Sequence, residues 1–168
     1  MKKLLHSFMI TALLALPLGC TKKDSSPLSA GTVVQNPSVD SKLYGFVGDG
    51  PYAVVKADAL PAYYDSFRKR LFDDGVVKWD ERFDCNHFAS YYVALAQTQY
   101  YLRNWGSTTP AQTLALAEVW YKPRWANGKG HAIVAAWSDQ GLLFIEPQNG
   151  QRVTLNDAER ASIFLCKW

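Results

Sequence analysis

The strongest constraint on the fold is a pair of apolar runs near the C-terminal end, separated by a tight turn. His131 to Trp137 alternates in the manner of a strand. Asp139-Gln140-Gly141 supplies the turn, and Leu142 to Glu146 returns. This pattern predicts an antiparallel hairpin. Successive side chains of a strand point to opposite faces, so His131, Ile133, Ala135 and Trp137 share one face. His131 opens one strand and Glu146 closes its neighbour, so pairing brings an imidazole and a carboxylate side by side.

Two helical segments precede the hairpin. Leu60, Tyr63, Tyr64, Phe67 and Leu71 recur at three- and four-residue steps and predict a helix from Ala59 to Phe72, ended by Asp73-Asp74-Gly75. A second helix is expected from Cys85 to Trp105, with Phe88, Tyr91, Tyr92, Leu95 and Leu102 on its apolar face and Asp84 as N-cap. Cys85 therefore falls in a first turn, where unpaired backbone N–H groups and the helix dipole favour a thiolate. His87 points away from Cys85 around the helix and reads as a neutral lining or capping residue. Leu114 to Tyr121 reads as extended, Asn127-Gly128-Lys129-Gly130 as a turn, Gln151 to Leu155 as a further strand, Asn156 to Glu159 as a helix start, and Ile163 to Leu165 as a closing strand. Helices followed by an antiparallel meander predict the α+β class.

Only part of the 168 residues suits that domain. Met1-Lys2-Lys3 and the apolar run Leu4 to Leu18 have the form of a secretory signal over residues 1–19, too short for a span of ~20 apolar residues. The ending Leu16-Pro17-Leu18-Gly19-Cys20 resembles a bacterial lipobox. That likeness implies an envelope lipoprotein lipidated on Cys20 (a palmitate-type anchor) and held at the outer membrane facing the periplasm. Residues 20–41 are rich in Lys, Ser, Asp, Pro and Gly and read as a flexible tether reaching roughly 25 Å. Residues 42–168 then form one domain.

The formal charge of +3 includes Lys2 and Lys3, and no basic block interleaves with aromatic residues beyond the leader. That argues against a nucleic-acid partner. No Cys/His cluster has zinc spacing and no phosphate loop is apparent, so neither a metal nor a cofactor is expected. With Cys20 lipidated, Cys85 and Cys166 remain, either as a disulfide or as free thiols. Oligomeric state is not legible.

The stretches Phe83-Asp84-Cys85-Asn86-His87-Phe88-Ala89, Gly128-Lys129-Gly130-His131-Ala132 and Leu143-Phe144-Ile145-Glu146-Pro147-Gln148 together resemble the transglutaminase-like branch of the papain-like superfamily. The resemblance implies N-terminal helices, the nucleophile at a helix start, and an antiparallel sheet beneath. It implies Cys85 as nucleophile, His131 as base and Glu146 as orienting acid, where the family usually carries Asp. Gln148 is a spare orienting amide, and Trp79 stands where such enzymes place an oxyanion-hole donor. Trp79, His87 and Gln148 are thus the candidate substrate contacts. The implied activity is thiol-dependent amide hydrolysis, as a peptidase or amidase, or acyl transfer, on a peptide or peptidoglycan-like amide. The rival reading is a non-enzymatic envelope binding module with a Cys85–Cys166 disulfide, including a phage-type exclusion or inhibitor protein.

Overall fold

The computed structural model describes residues 28–35, 37, 50–108 and 110–168. The leader over 1–19, Cys20 and most of the expected tether lie outside the described residues.

The elements run β1 (Ser29–Val34), β2 (Tyr52–Val55), α1 (Leu60–Asp73), α2 (Cys85–Asn104), β3 (Thr113–Leu114), β4 (Leu116–Tyr121), β5 (His131–Ser138), β6 (Gly141–Ile145), β7 (Arg152–Val153), α3 (Asp157–Ala161) and β8 (Leu165–Lys167). One eight-stranded sheet has the main order β1-β2-β5-β4-β8, with β3 beside β2, β6 beside β5 and β7 beside β6. The central hairpin forms as its turn chemistry dictates, with Ser138 paired to Gly141 and Val134 to Ile145. Gly141 takes a φ of 94°, which a side chain would resist.

The helices cover one face of the sheet. Leu60, Tyr63, Phe67 and Leu71 of α1 are buried against Phe88, Ala89, Tyr92 and Ala96 of α2, and these meet Leu116, Ala132, Val134 and Ala136 from the sheet. Alanines on facing surfaces let α2 approach β4 and β5 closely. Tyr63 and Tyr92 meet edge to face with ring centres 4.8 Å apart, and the Tyr63 hydroxyl donates to the Tyr92 carbonyl at 2.7 Å. A second core, with Val119, Tyr121, Ile133, Phe144, Leu155 and Ile163, fills the opposite face. β5 is therefore covered on both sides, and the run from His131 to Ala136 is buried throughout.

Two expectations require correction. The domain does not begin with helices above an antiparallel sheet. Two strands precede α1, and β2 pairs in parallel with both β3 and β5, so the sheet is mixed. The physical reason is the short apolar run Tyr52-Ala53-Val54-Val55, which Pro51 sets off from the turn before it and which supplies a fully buried strand. Nor is the segment 20–41 a tether throughout. β1 pairs antiparallel with β2, and Leu28 is buried in the helix-side core. Val33 and Val34 give this polar stretch just enough β-propensity to extend an existing sheet.

Candidate functional site

Cys85 is the first residue of α2 and Asp84 is its N-cap. The first-turn N–H groups have no carbonyl within the helix to bond, so they collect where the sulfur sits. His87 caps this turn. Its Nδ1 lies 2.8 Å from Asp84 Oδ1 and its ring stacks on Phe83, and it does not line the cleft above Cys85. The capping reading of His87 fits this geometry, whereas its place among the substrate contacts does not.

His131 begins β5, only 6% exposed. Its Nε2 lies 2.7 Å from Glu146 Oε2. Continuing the Val134–Ile145 register by one residue sets Glu146 opposite Ile133, two residues from His131 on the same face. The pair is thus a diagonal neighbour across the hairpin, within reach because Glu has the longer carboxylate arm. The other Glu146 oxygen, Oε1, accepts the Gln148 backbone N–H at 3.1 Å. The turn that holds it is braced from α1, where the Tyr64 hydroxyl donates to the Gln148 carbonyl at 2.9 Å. Gly150 closes the turn with φ of 74°, and a Cβ there would sit 2.5 Å from the Tyr64 ring.

Cys85 and His131 lie close enough for each to shift the other's titration, and the Ala132 backbone N–H also favours the Cys85 thiolate. Burial works against the Cys85 thiolate, but the His131 bond, the Ala132 N–H and the His131 charge outweigh it, and the thiol titrates below its ordinary value despite Asp84 nearby. Burial likewise disfavours a charged His131. The bonds to Cys85 and Glu146 and their charges prevail and lift it to about 9. A thiolate–imidazolium pair is the form these shifts favour between the two titrations.

A cleft of about 530 Å³ opens over the pair, lined by Trp79, Cys85, Trp125, Lys129, His131 and Gln148 among others. Trp79 is 51% exposed and Trp125 69% exposed, so each indole presents surface to a ligand in the cleft. Trp79, one of the candidate substrate contacts, therefore forms a wall of the cleft. Trp125 was missed as a site residue. Its ring meets His131 edge to face at 5.1 Å and shields the imidazole from water. Its signal in the sequence was its place just ahead of the Asn127-Gly128 turn that leads into His131.

No Cys85–Cys166 disulfide forms, since both are free cysteines. Cys166 is 2% exposed in the core on the far face of the sheet, and burial pushes its thiol up to about 12. Among the described residues no group of three His, Cys, Asp or Glu side chains could hold a metal ion, and no helix is long and apolar enough to cross a membrane.

No family model matches this sequence, and no curated protein matches it. Solved structures share its fold, among them these two. One is a Polyporus squamosus lectin bound to the human-type influenza-binding epitope Neu5Acα2-6Galβ1-4GlcNAc, with a TM-score of 0.53 and 18% identity over 74% of this chain and 41% of that one. The other is a complex of PSL1a with E64, with a TM-score of 0.58 and 18% identity over 79% of this chain and 46% of that one. This chain thus spans less than half the length of either. The likeness concerns the fold.

These findings correct the family reading. One structural neighbour carries the name of a lectin, and no family model supports a transglutaminase-like or papain-like peptidase. The lectin's named ligand is a glycan, so a peptide or peptidoglycan-like amide partner has no support from the comparisons. The lipoprotein leader and the lipid anchor on Cys20 have none either, and both lie outside the described residues.

Proposed function

We propose that this chain is a ligand-binding module whose cleft carries a nucleophilic thiol, so that a bound molecule with an electrophilic carbon is held covalently on Cys85. The observation that supports this is the position of His131, which lines one cleft together with Cys85 and has its Nε2 2.7 Å from Glu146 Oε2. A thiol and an imidazole in the lining of an open cleft, with a carboxylate bonded behind the imidazole, are more than a packed core requires. A buried His satisfied only for stability has no need of a thiol as its second partner.

The chemistry follows from the geometry. His131 takes the thiol proton, and Glu146 holds the imidazole in orientation and stabilises its charge. The sulfur bonds to a carbonyl carbon of the ligand as that carbon's π electrons move to oxygen. First-turn N–H groups of α2 lie beside the sulfur to receive that oxyanion. The intermediate collapses, the bond to the leaving group breaks, and His131 returns the proton to it. An S-acyl adduct on Cys85 remains.

Alkylation of the full chain with iodoacetamide, followed by peptide mapping, tests this reading. Cys85 should react near neutral pH well before Cys166, which serves as the internal reference. E64 carries an epoxide that a thiolate opens, and it should add once, at Cys85. Equal, slow labelling of both cysteines would remove the thiol centre and leave a non-covalent module.

A second reading has its own support in the two exposed tryptophans, Trp79 and Trp125, on the cleft walls. Such rings stack on the apolar faces of sugars, and one neighbour is a lectin with a bound glycan epitope. A glycan array probed with the wild type and the double W79A/W125A variant tests it, with binding expected only for the wild type.

A further inference from the structure

A second cavity of about 370 Å³, bordered by neither Cys85 nor His131, is lined by Tyr52, Ser90, Gln97, Glu118, Lys167 and Trp168 among others. Its notable feature is Glu118, a carboxylate only 8% exposed in the middle of β4. Its Oε2 accepts the Ser90 hydroxyl at 2.6 Å and its Oε1 accepts the Trp120 indole N–H at 2.7 Å. Both donors are neutral. Among the described residues no Lys, Arg or His comes within 4.0 Å of it. Buried charges are ordinarily paired, because neutral hydrogen bonds offset only part of the lost hydration.

Each oxygen keeps a second lone pair, and the residue borders the cavity. The nearest basic group on this face is Lys167, whose Cα pairs with Glu118 across β4 and β8. Its side chain lines the same cavity without closing an ion pair. Two aromatic residues also line it, Tyr52 and Trp168, which meet edge to face with centres 6.4 Å apart. Tyr52 is buried, so Trp168 is the ring available to a ligand, and an indole near a carboxylate without a cationic partner is the chemistry that recognises a compact organic cation, by ion pairing on one side and cation–π attraction on the other.

We infer that this cavity is a binding site for a small alkylammonium group, with Glu118 as its counter-charge. It is distinct from the thiol centre and does not depend on it. Lys167 competes for the same carboxylate, which makes a clear second test available.

The experiment is an NMR titration of the full chain at constant ionic strength with propylammonium chloride, and with 1-propanol as the neutral match. Propylammonium should give saturable shifts at Ser90, Glu118 and the Trp120 indole N–H. Propanol should bind about tenfold more weakly or worse, as expected for loss of a charge-assisted hydrogen bond. E118Q should abolish the preference for the cation, with dispersed resonances showing that it has folded. K167M should tighten propylammonium several-fold and leave propanol unchanged, which keeps the question decidable if E118Q unfolds. Equal binding of the two probes, shifts that never saturate, or an affinity indifferent to K167M would overturn the assignment.

Discussion

Replacing His131 with alanine is the sharpest perturbation of the thiol centre. The Cys85 thiolate is disfavoured by burial and by Asp84, and favoured by the His131 bond, the Ala132 N–H and the His131 charge. H131A removes two of those three favourable influences and leaves both unfavourable ones. A hydrogen bond to a charged group contributes about 1.5–3 kcal/mol, so the thiol should rise by about 1–2 pH units. The thiolate fraction near neutral pH then falls about 12- to 150-fold. A more basic thiolate is intrinsically more reactive, and this recovers nearly half the loss on a logarithmic scale. The net expectation is alkylation of Cys85 slowed about 4- to 15-fold at pH 7, with the midpoint of the rate profile moved to higher pH. Stopped-flow or mass-resolved iodoacetamide kinetics from pH 5 to 10 read both quantities, with Cys166 as reference and circular dichroism as the check on folding. A rate within twofold of wild type and an unmoved midpoint would refute the claim that His131 and the sulfur share a proton.

Other expectations follow from the same geometry. E146Q keeps the shape but removes the charge beside Nε2, so the His131 midpoint near 9 should fall by about 1–2 pH units, as followed by imidazole NMR shifts. Because folding raises the His131 value from 6.5 to about 9, its stabilisation is present in full below pH 6.5 and is lost as pH rises through 9. The stability gap between wild type and H131Q in urea melts should therefore narrow over that interval, by about 3 kcal/mol at most. G150A forces a Cβ to within 2.5 Å of the Tyr64 ring at a φ of 74°. It should lower stability by about 1–3 kcal/mol in thermal melts and slow Cys85 alkylation as the Glu146 turn shifts. F67A empties the fully buried interface between α1 and α2 and should destabilise the fold by about 3–5 kcal/mol in the same assay.

The elements were legible where one period dominated. The helix expected over Ala59 to Phe72 lies at Leu60–Asp73, and that expected over Cys85 to Trp105 at Cys85–Asn104. The hairpin joining His131 to Glu146 was legible for the same reason. Tyr52–Val55 was not, because four apolar residues after a Gly-Pro turn carry no period. β1 was hidden still further, since a polar edge strand is stabilised by the backbone it pairs with more than by its own side chains. Misjudging these two strands gave the wrong sheet and, with it, the wrong architecture. The likeness drawn from three short motifs could not correct that, because the motifs lie in α2 and the hairpin and say nothing about the strands in front of them.

The chain itself determines that Cys85 starts a helix, that His131 starts a strand and that Glu146 ends the next one. Capping, turn chemistry and alternation are local effects, and they act within a few residues of each position. Tertiary packing decides that the sulfur meets the imidazole, that Cys166 is walled off on the far face, and that Trp79 and Trp125 stand open in the cleft. Those outcomes depend on how closely α2 lies on β4 and β5. That distance is set by alanines and tyrosines from separate elements filling one shared volume, and no single stretch of sequence carries it.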